Sequence, residues 1–288
     1  MYDFANQPFT TLIITFIYST YFVKAIAPDE IIGTVLWSRG ITITAIVVAL
    51  ISPLMGAIAD QGGYRKLFLI FWTWVCIIGS FFSFYAVPGE ITKALFWVVL
   101  ANIGFEMGGV FCNAYLPHIA PKKKIGRISG YGWSFGYVGG LISLVIVMVL
   151  FVNPETPAFG FSTQNGENIR ATNLLAAIWF AVFSIPTFLW VKDKPISQRM
   201  SLSLVRSSYA QVKNTFREIK KYKQTCRFLI ARILYNDGLI TIFSFGGIYA
   251  AGTFDFTFNE IMIFGIVLNV TAGLGAFMFG LSHYLIRD

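Results

Sequence analysis

The sequence predicts an all-α membrane protein, a bundle of transmembrane helices, from three observations. Apolar residues make up 56% of the 288 residues and charged residues only 12%, roughly half the charged share of a soluble domain. The apolar residues occur in blocks of about 18 to 24, long enough for a helix to cross a hydrocarbon layer of about 30 Å. A sheet is disfavoured because open strands leave backbone groups unpaired in lipid, and the blocks lack the alternation of a membrane β-barrel.

Eight such blocks are predicted to span the membrane, because turn residues interrupt the apolar pattern between them. Pro28 with Asp29, Pro88 with Gly89, and the polar stretch 153–173 are the clearest breaks. The predicted spans lie near residues 6–26, 39–59, 67–87, 92–114, 130–152, 172–191, 227–250 and 261–283.

The distribution of basic residues predicts the orientation of the bundle. Seventeen of the 22 Lys and Arg residues fall in alternate loops, from Arg65 and Lys66 through a cluster at 192–227 to Arg287. The opposite loops hold Lys24, Arg39, Lys93 and Arg170. By the positive-inside rule, the first set and the amino terminus face the cytoplasm. This rule also explains the net charge of +8, so nucleic acid is not expected as a partner.

The long basic segment after the sixth span is the expected domain boundary. We predict an N-terminal six-helix half over 1–191, a cytoplasmic linker over 192–226, and the start of a second half over 227–288. Apolar residues recur every three or four positions in the linker, at Leu202, Val205, Tyr209, Val212, Phe216, Ile219 and Tyr222. Two interpretations remain open: a basic helix lying on the inner leaflet with membrane lipids as partners, and a solvated linker helix.

The strongest local motif is GAIADQGGYRK at residues 56–66, where the second span turns into the third. Gly56 would allow close helix approach, and Gly62 and Gly63 would permit the tight reversal. Asp60 can face helix amino termini or Arg65, with Lys66 beside it. Such a cluster would break and re-form as helices rock, which makes it a candidate conformational latch. The alternative is an ordinary polar turn that carries positive-inside charge.

The same loop resembles the signature of the major facilitator superfamily, although Gln61 and Tyr64 stand where that family often has basic residues. The segments YDFANQPF, RISGYGWSFGYVGG and YNDGLITIF are similar to one branch, the autophagy-related vacuolar effluxers and their bacterial relatives. The resemblance implies a major facilitator-type bundle of twelve spans in two halves, so about eight spans indicate a partial chain. It also implies export of amino acids or similar metabolites.

Glycines at 132, 136 and 140 form a stripe on one face of the fifth span. Gly132, Gly136 and Gly140 are spaced by four residues, which suits backbone-to-backbone helix contact. The stretch also resembles the superfamily's antiporter motif, but Tyr137 replaces the expected proline. Helix packing is therefore the favoured interpretation.

Polar residues within the fourth span are candidates for the transport cavity. A charge inside the membrane costs roughly 2.5 to 3.5 kcal/mol on insertion scales and usually faces a cavity or a partner. Glu106 lies in mid-span, with Asn102 one turn before it and Asn113 two turns after it, on similar faces. We hypothesise that Glu106 takes up a proton or pairs with a cationic group. The alternative is a buried Glu106 held by amide or backbone donors for packing alone.

Residues that open the first and seventh spans are the second set of cavity candidates. Asp3 and Asn6 lie in the first span, and Asp237 lies at the corresponding end of the seventh. That correspondence is expected if the seventh span begins a second copy of the half. Helix capping is the alternative role for the two aspartates.

Neither a nucleophile–base pair, nor a metal cluster, nor a P-loop of the GxxxxGK[ST] kind occurs in the sequence. We therefore expect no cofactor and no enzymatic activity, and a gradient as the energy source. The expected function is a secondary transporter of a small polar solute, with protons as a candidate coupling ion. The expected location is a bacterial cytoplasmic membrane, or a vacuolar membrane in a eukaryote. An integral membrane enzyme and a channel remain alternatives, and the oligomeric state is open.

Overall fold

The computed structural model describes residues 1–193, 196 and 199–285, without the side chains of residues 220 and 282–285. Lys194 and Arg287, two of the basic residues counted above, lie outside the described residues. Nine long helices are present in the described part. They are α1 (Tyr2–Ile26), α2 (Glu30–Gly62), α3 (Arg65–Ser83), α4 (Ile91–Ile119), α5 (Ile125–Val147, continued by a π-helical turn Met148–Val152), α6 (Glu167–Trp190), α7 (Leu202–Glu218), α8 (Lys223–Thr253) and α9 (Phe258–Leu285).

Eight of these helices are long and apolar enough to cross a membrane, and α7 is the exception. The prediction of an all-α membrane bundle with eight spans is therefore confirmed. The helices extend further than predicted: α2 begins at Glu30 rather than near residue 39, because Asp29 caps it by accepting from Ile32 N at 2.8 Å. As a result Arg39 lies inside α2 instead of in a loop. Arg170 likewise lies in the first turn of α6, where it is buried.

Helix α1 occupies the centre of the bundle. In its most apolar stretch 83% of residues are buried, compared with 11% in α2 and 6% in α8. Leu12, Ile13 and Ile17 are fully buried, and α1 contacts α5, α6, α8 and α9. The polar side chains of α1, such as Thr11 and Thr15, are therefore buried together with its apolar ones. Two segments of α1, Phe9–Phe16 and Phe22–Ile26, are π-helical, so its backbone is wider there.

Glycines determine how closely neighbouring helices approach. A Cβ atom added at Gly104 of α4 would lie 2.5 Å from the backbone nitrogen of Cys76 in α3. One added at Gly130 of α5 would lie 2.8 Å from the Cα atom of Gly280 in α9. Lipid provides little hydrophobic drive for helix association, so close backbone packing of this kind is a principal source of stability.

Helix α7 packs against the end of α2 through a face that the sequence pattern does not predict. Leu204 and Ser208 are buried there, and Ser207 donates a hydrogen bond to Oε1 of Gln61 at 2.9 Å. Most of the predicted apolar stripe remains exposed, including Leu202 and Phe216. The face that packs against α2 therefore combines one apolar residue, Leu204, with the serines at 207 and 208.

We predict that Gly104→Ala destabilises the bundle by about 1–3 kcal/mol, because the new methyl group would overlap the backbone of α3. Gly109→Ala in the same helix is the matched control, since a Cβ there meets no described atom within 4 Å. The control variant should unfold at or above the parent temperature, because alanine is the better helix former. Thermal unfolding in detergent measures both, and equal melting temperatures for the two variants would contradict the prediction.

Candidate functional site

The turn between α2 and α3 is made by Gly63. This residue has φ 78° and ψ 34°, a left-handed conformation, and its backbone nitrogen donates to the carbonyl of Ala59 at 3.0 Å. The nitrogen of Tyr64 donates to the same carbonyl at 3.1 Å, and α3 begins at the next residue. The reversal expected from the glycine pair therefore occurs at Gly63, while Gly62 is the last residue of α2.

Charged side chains join the ends of three helices at this turn. Arg65 Nε donates to Oδ1 of Asp60 at 2.7 Å, and Arg65 Nη1 lies 3.1 Å from Nε2 of His118 at the end of α4. Asp193, in the chain that follows α6, accepts from the backbone nitrogen of Lys66 at 2.7 Å. The motif thus belongs to a larger cluster that links α2, α3, α4 and the segment after α6.

Two members of this cluster, His118 and Asp193, were not part of the sequence motif. They lie 53 residues from Arg65 and 127 residues from Lys66, respectively. Local spacing carries no signal for such pairs. Gly56, in contrast, has no close neighbour: an added Cβ would meet no described atom within 4 Å. The close helix approach expected at Gly56 is absent from the described structure, because this part of α2 is only half-buried.

The polar residues of α4 lie on similar faces of the helix but in different surroundings. Asn102 is buried at the interface with α2, in a small cavity lined also by Trp37 and Thr44. Glu106 and Asn113 are exposed. No described hydrogen bond or ion pair involves the Glu106 carboxylate. Helix α2 covers the turn of α4 that contains Asn102. It does not cover the turns that contain Glu106 and Asn113.

The candidates in α1 and α8 are also separated from one another. Asp3 lies against α5, where a Cβ added at Gly132 would be 2.6 Å from Asp3 Oδ2 and one at Gly136 would be 3.1 Å from the Asp3 carbonyl oxygen. Asn6 is buried, and Asp237 lies on an exposed stretch of α8. The glycine stripe of α5 therefore faces α1.

A second polar cluster, which we call the α1 cavity, lies between α1, α5, α8 and α9. Its volume is about 20 Å³. It is lined by Gln7, Thr10, Thr11, Thr15, Phe16, Tyr137, Phe243, Leu268 and Asn269. Among the described residues, Thr10 Oγ1, Thr15 Oγ1 and Asn269 Oδ1 are buried without a hydrogen-bond partner. These residues come from four helices, so the sequence offers only one signal for them, the polar positions that recur along one face of α1.

A bundle of apolar spanning helices with buried polar side chains and a charged turn after the second span is the arrangement of a membrane transporter of the major facilitator type. The chain belongs to the family described as vacuole effluxer Atg22 like, whose family model matches residues 33–126 and 121–286. This membership confirms the resemblance drawn from the motifs.

Individual relatives agree with this assignment. The chain is 26% identical over 87% of its length to the uncharacterized MFS-type transporter YxiO of Bacillus subtilis (strain 168). It is 21% identical over 84% of its length to the autophagy-related protein 22 of Yarrowia lipolytica (strain CLIB 122 / E 150). The matched regions cover 59% and 52% of those two proteins. No solved structure matches the chain significantly.

We predict that Gly63→Ala lowers the stability of the turn by about 1–2 kcal/mol, because a Cβ atom is disfavoured at φ 78°. Gly63→Asn is the matched variant, since asparagine tolerates the left-handed region better, and it should lose less. Thermal unfolding of the two variants in detergent tests this. An asparagine variant as unstable as the alanine variant would show that backbone conformation is not the cause.

Proposed function

We propose that the protein moves a small polar solute across the membrane by alternating access, with amino acids or related metabolites as the substrate class. Membership of a family described as vacuole effluxers supports transport. The amino-acid class rests on the resemblance of the first, fifth and seventh spans to that family. Protons are the candidate coupling ion, and Glu106 is the candidate proton acceptor.

The observation that carries this proposal is the match of the family model over most of the chain, and the anchoring of α8 is compatible with it. Beyond Ser244 this helix is held against α1 and α2: Trp37 Nε1 donates to the Ser244 carbonyl at 3.3 Å, and Lys24 Nζ to the Ala251 carbonyl at 3.3 Å. Residues 227–238 of the same helix are all exposed. The two hydrogen bonds join the second half to the first on one side of the membrane, which suits two halves that rock about a central site.

The charged turn between α2 and α3 lies on the same side as residues 227–238, opposite these contacts, and suits a latch there. Asp60 is 54% exposed, and ion pairs in such solvated positions contribute only about 0–1 kcal/mol. An interaction this weak can exchange partners as helices move, whereas a buried pair would resist separation. Arg65 has a second neighbour in His118, so it need not lose all its contacts when Asp60 leaves.

Uptake assays in liposomes distinguish the proposed transporter from a channel and from an integral membrane enzyme. The protein is reconstituted and offered a panel of amino acids under an imposed pH gradient. A transporter should show saturable, gradient-driven uptake. Steady ion currents far above carrier turnover would indicate a channel, and chemical conversion of the solute would indicate an integral membrane enzyme.

We predict that Glu106→Gln abolishes the part of the uptake that depends on the pH gradient, because glutamine cannot take up a proton. Glu218→Gln is the matched control: this carboxylate lies in α7 and pairs with Lys221 at 3.2 Å, away from the spans. The control should retain full uptake. Full gradient-driven uptake by the Glu106 variant would rule out the proposed proton role.

We predict that Asp60→Asn changes the balance between conformations, because it removes the charge that Arg65 binds at 2.7 Å. Single cysteines placed at exposed positions of residues 227–238 report this as a change of at least twofold in their labelling rate. Glu218→Gln again serves as control and should leave the rates unchanged. Equal labelling in Asp60→Asn and the parent protein would refute the latch.

A further inference from the structure

We propose that the α1 cavity binds a compact monovalent cationic group, either the primary ammonium of the transported solute or an alkali metal ion. The inference rests on the proposed transport function. It adds the location of the binding site and the charge of the group that binds there. It concerns residues outside the candidates considered so far, chiefly Thr11, Thr15 and Asn269.

The cavity contains an oxygen that can only accept. Asn269 is 5% exposed, and its Nδ2 donates to the carbonyl of Gly265 at 2.8 Å. This bond fixes the amide so that Oδ1 faces the cavity, where it has no described partner. A buried acceptor left without a donor costs about 1–3 kcal/mol, which a bound donor or cation would relieve. The Oδ1 atom of Asn269 would therefore be satisfied by a ligand that carries positive charge or N–H groups.

Threonine oxygens from α1 surround the same space. Thr15 is 2% exposed and its Oγ1 is unpartnered in the described structure, as is that of Thr10. A Cβ added at Gly140 would lie 2.7 Å from Thr11 Oγ1 and 2.8 Å from Asn269 Oδ1. Both oxygens therefore lie close to the position that a Cβ atom would occupy at Gly140. This position is open because glycine has no side chain.

The backbone of α1 is suited to a site at this level. Thr10, Thr11 and Thr15 all lie in the π-helical segment Phe9–Phe16. Single π-helical turns occur frequently at functional sites, because they interrupt the regular hydrogen bonding and turn side chains toward one another. Coupling ions in membrane transporters are commonly bound where a spanning helix departs from α-helical geometry.

Charge and size both favour a small cation. No Lys or Arg is among the described lining residues, and the charged residue on this face of α1 is Asp3, one turn before Gln7. Hard monovalent cations and ammonium groups take oxygen ligands, and an ammonium donates three hydrogen bonds. A volume of about 20 Å³ exceeds the roughly 10–15 Å³ that one water needs, so it fits a group of that size.

Thermal unfolding of the purified chain in detergent tests the proposal with two pairs of probes. Sodium or potassium chloride is compared with N-methyl-D-glucamine chloride at constant ionic strength, and glycine is compared with its N-trimethyl counterpart, betaine. We expect the smaller cationic group of one pair to raise the melting temperature in a saturable way. Stabilisation by sodium or potassium identifies a metal-ion site, and stabilisation by glycine alone identifies an ammonium site.

Substitutions then locate the site. Asn269→Leu and Gly140→Ala should weaken the apparent affinity at least tenfold, the first by removing the acceptor and the second by filling the space. Thr15→Val keeps the shape of the side chain and removes its hydroxyl oxygen, so it should also weaken the affinity. Gly275→Ala in α9 is the matched control, since a Cβ there meets no described atom within 4 Å. Should Gly140→Ala fail to fold, the Asn269→Leu and Thr15→Val variants still decide.

A melting temperature that is insensitive to all four probes would overturn the proposal and indicate a structural water. Undiminished binding by Asn269→Leu would overturn it as well, because it would show that the Asn269 oxygen does not contact the bound group. The transport proposal is tested by a separate measurement, solute uptake in liposomes. Cation binding without uptake in liposomes would refute the transport proposal and leave the site, whereas uptake without cation binding would refute the site alone.

Discussion

The solvent around the bundle sets the main constraint on its structure. Lipid offers the backbone no hydrogen bonds, so each span must be a helix, and its low polarity gives apolar side chains little reason to leave it. Stability then depends on close contact between helices, which is centred on α1. Its backbone is approached through Gly136 of α5 and through Gly247 of α8, where no side chain intervenes. Replacing such glycines would push neighbouring helices away from the helix on which the others pack.

The same constraint separates the polar residues into two groups. At the turn after α2, water is near, so Asp60 and Arg65 can pair weakly and exchange partners without a large cost. Inside the bundle, the buried oxygens of Thr15 and Asn269 have no described hydrogen-bond partner, and a buried polar atom left unpaired is costly. The first group is therefore suited to movement between conformations. The second is suited to recognising a group that arrives from outside.

Family membership and structure contribute different parts of the functional argument. The family model spans most of the chain and establishes the class of protein, whereas the relatives extend well beyond the matched region. The activity of the whole protein is accordingly a proposal, which membership of the family supports. Glu106 on the exposed face of α4 and the α1 cavity between four helices are two distinct places at which a charged group could act.

The sequence by itself determined the membrane class, the eight spans and the tight turn at Gly63, because hydropathy, basic loops and turn chemistry are local properties of the chain. It also indicated the pairing of Asp60 with Arg65, five residues apart. It did not indicate the start of α2, since the cap at Asp29 extends a helix beyond its apolar stretch. The contacts of His118 and Asp193, the docking face of α7 and the α1 cavity were decided only by tertiary structure. Each of them joins residues from different helices, and which faces of two helices meet depends on packing that no single segment encodes.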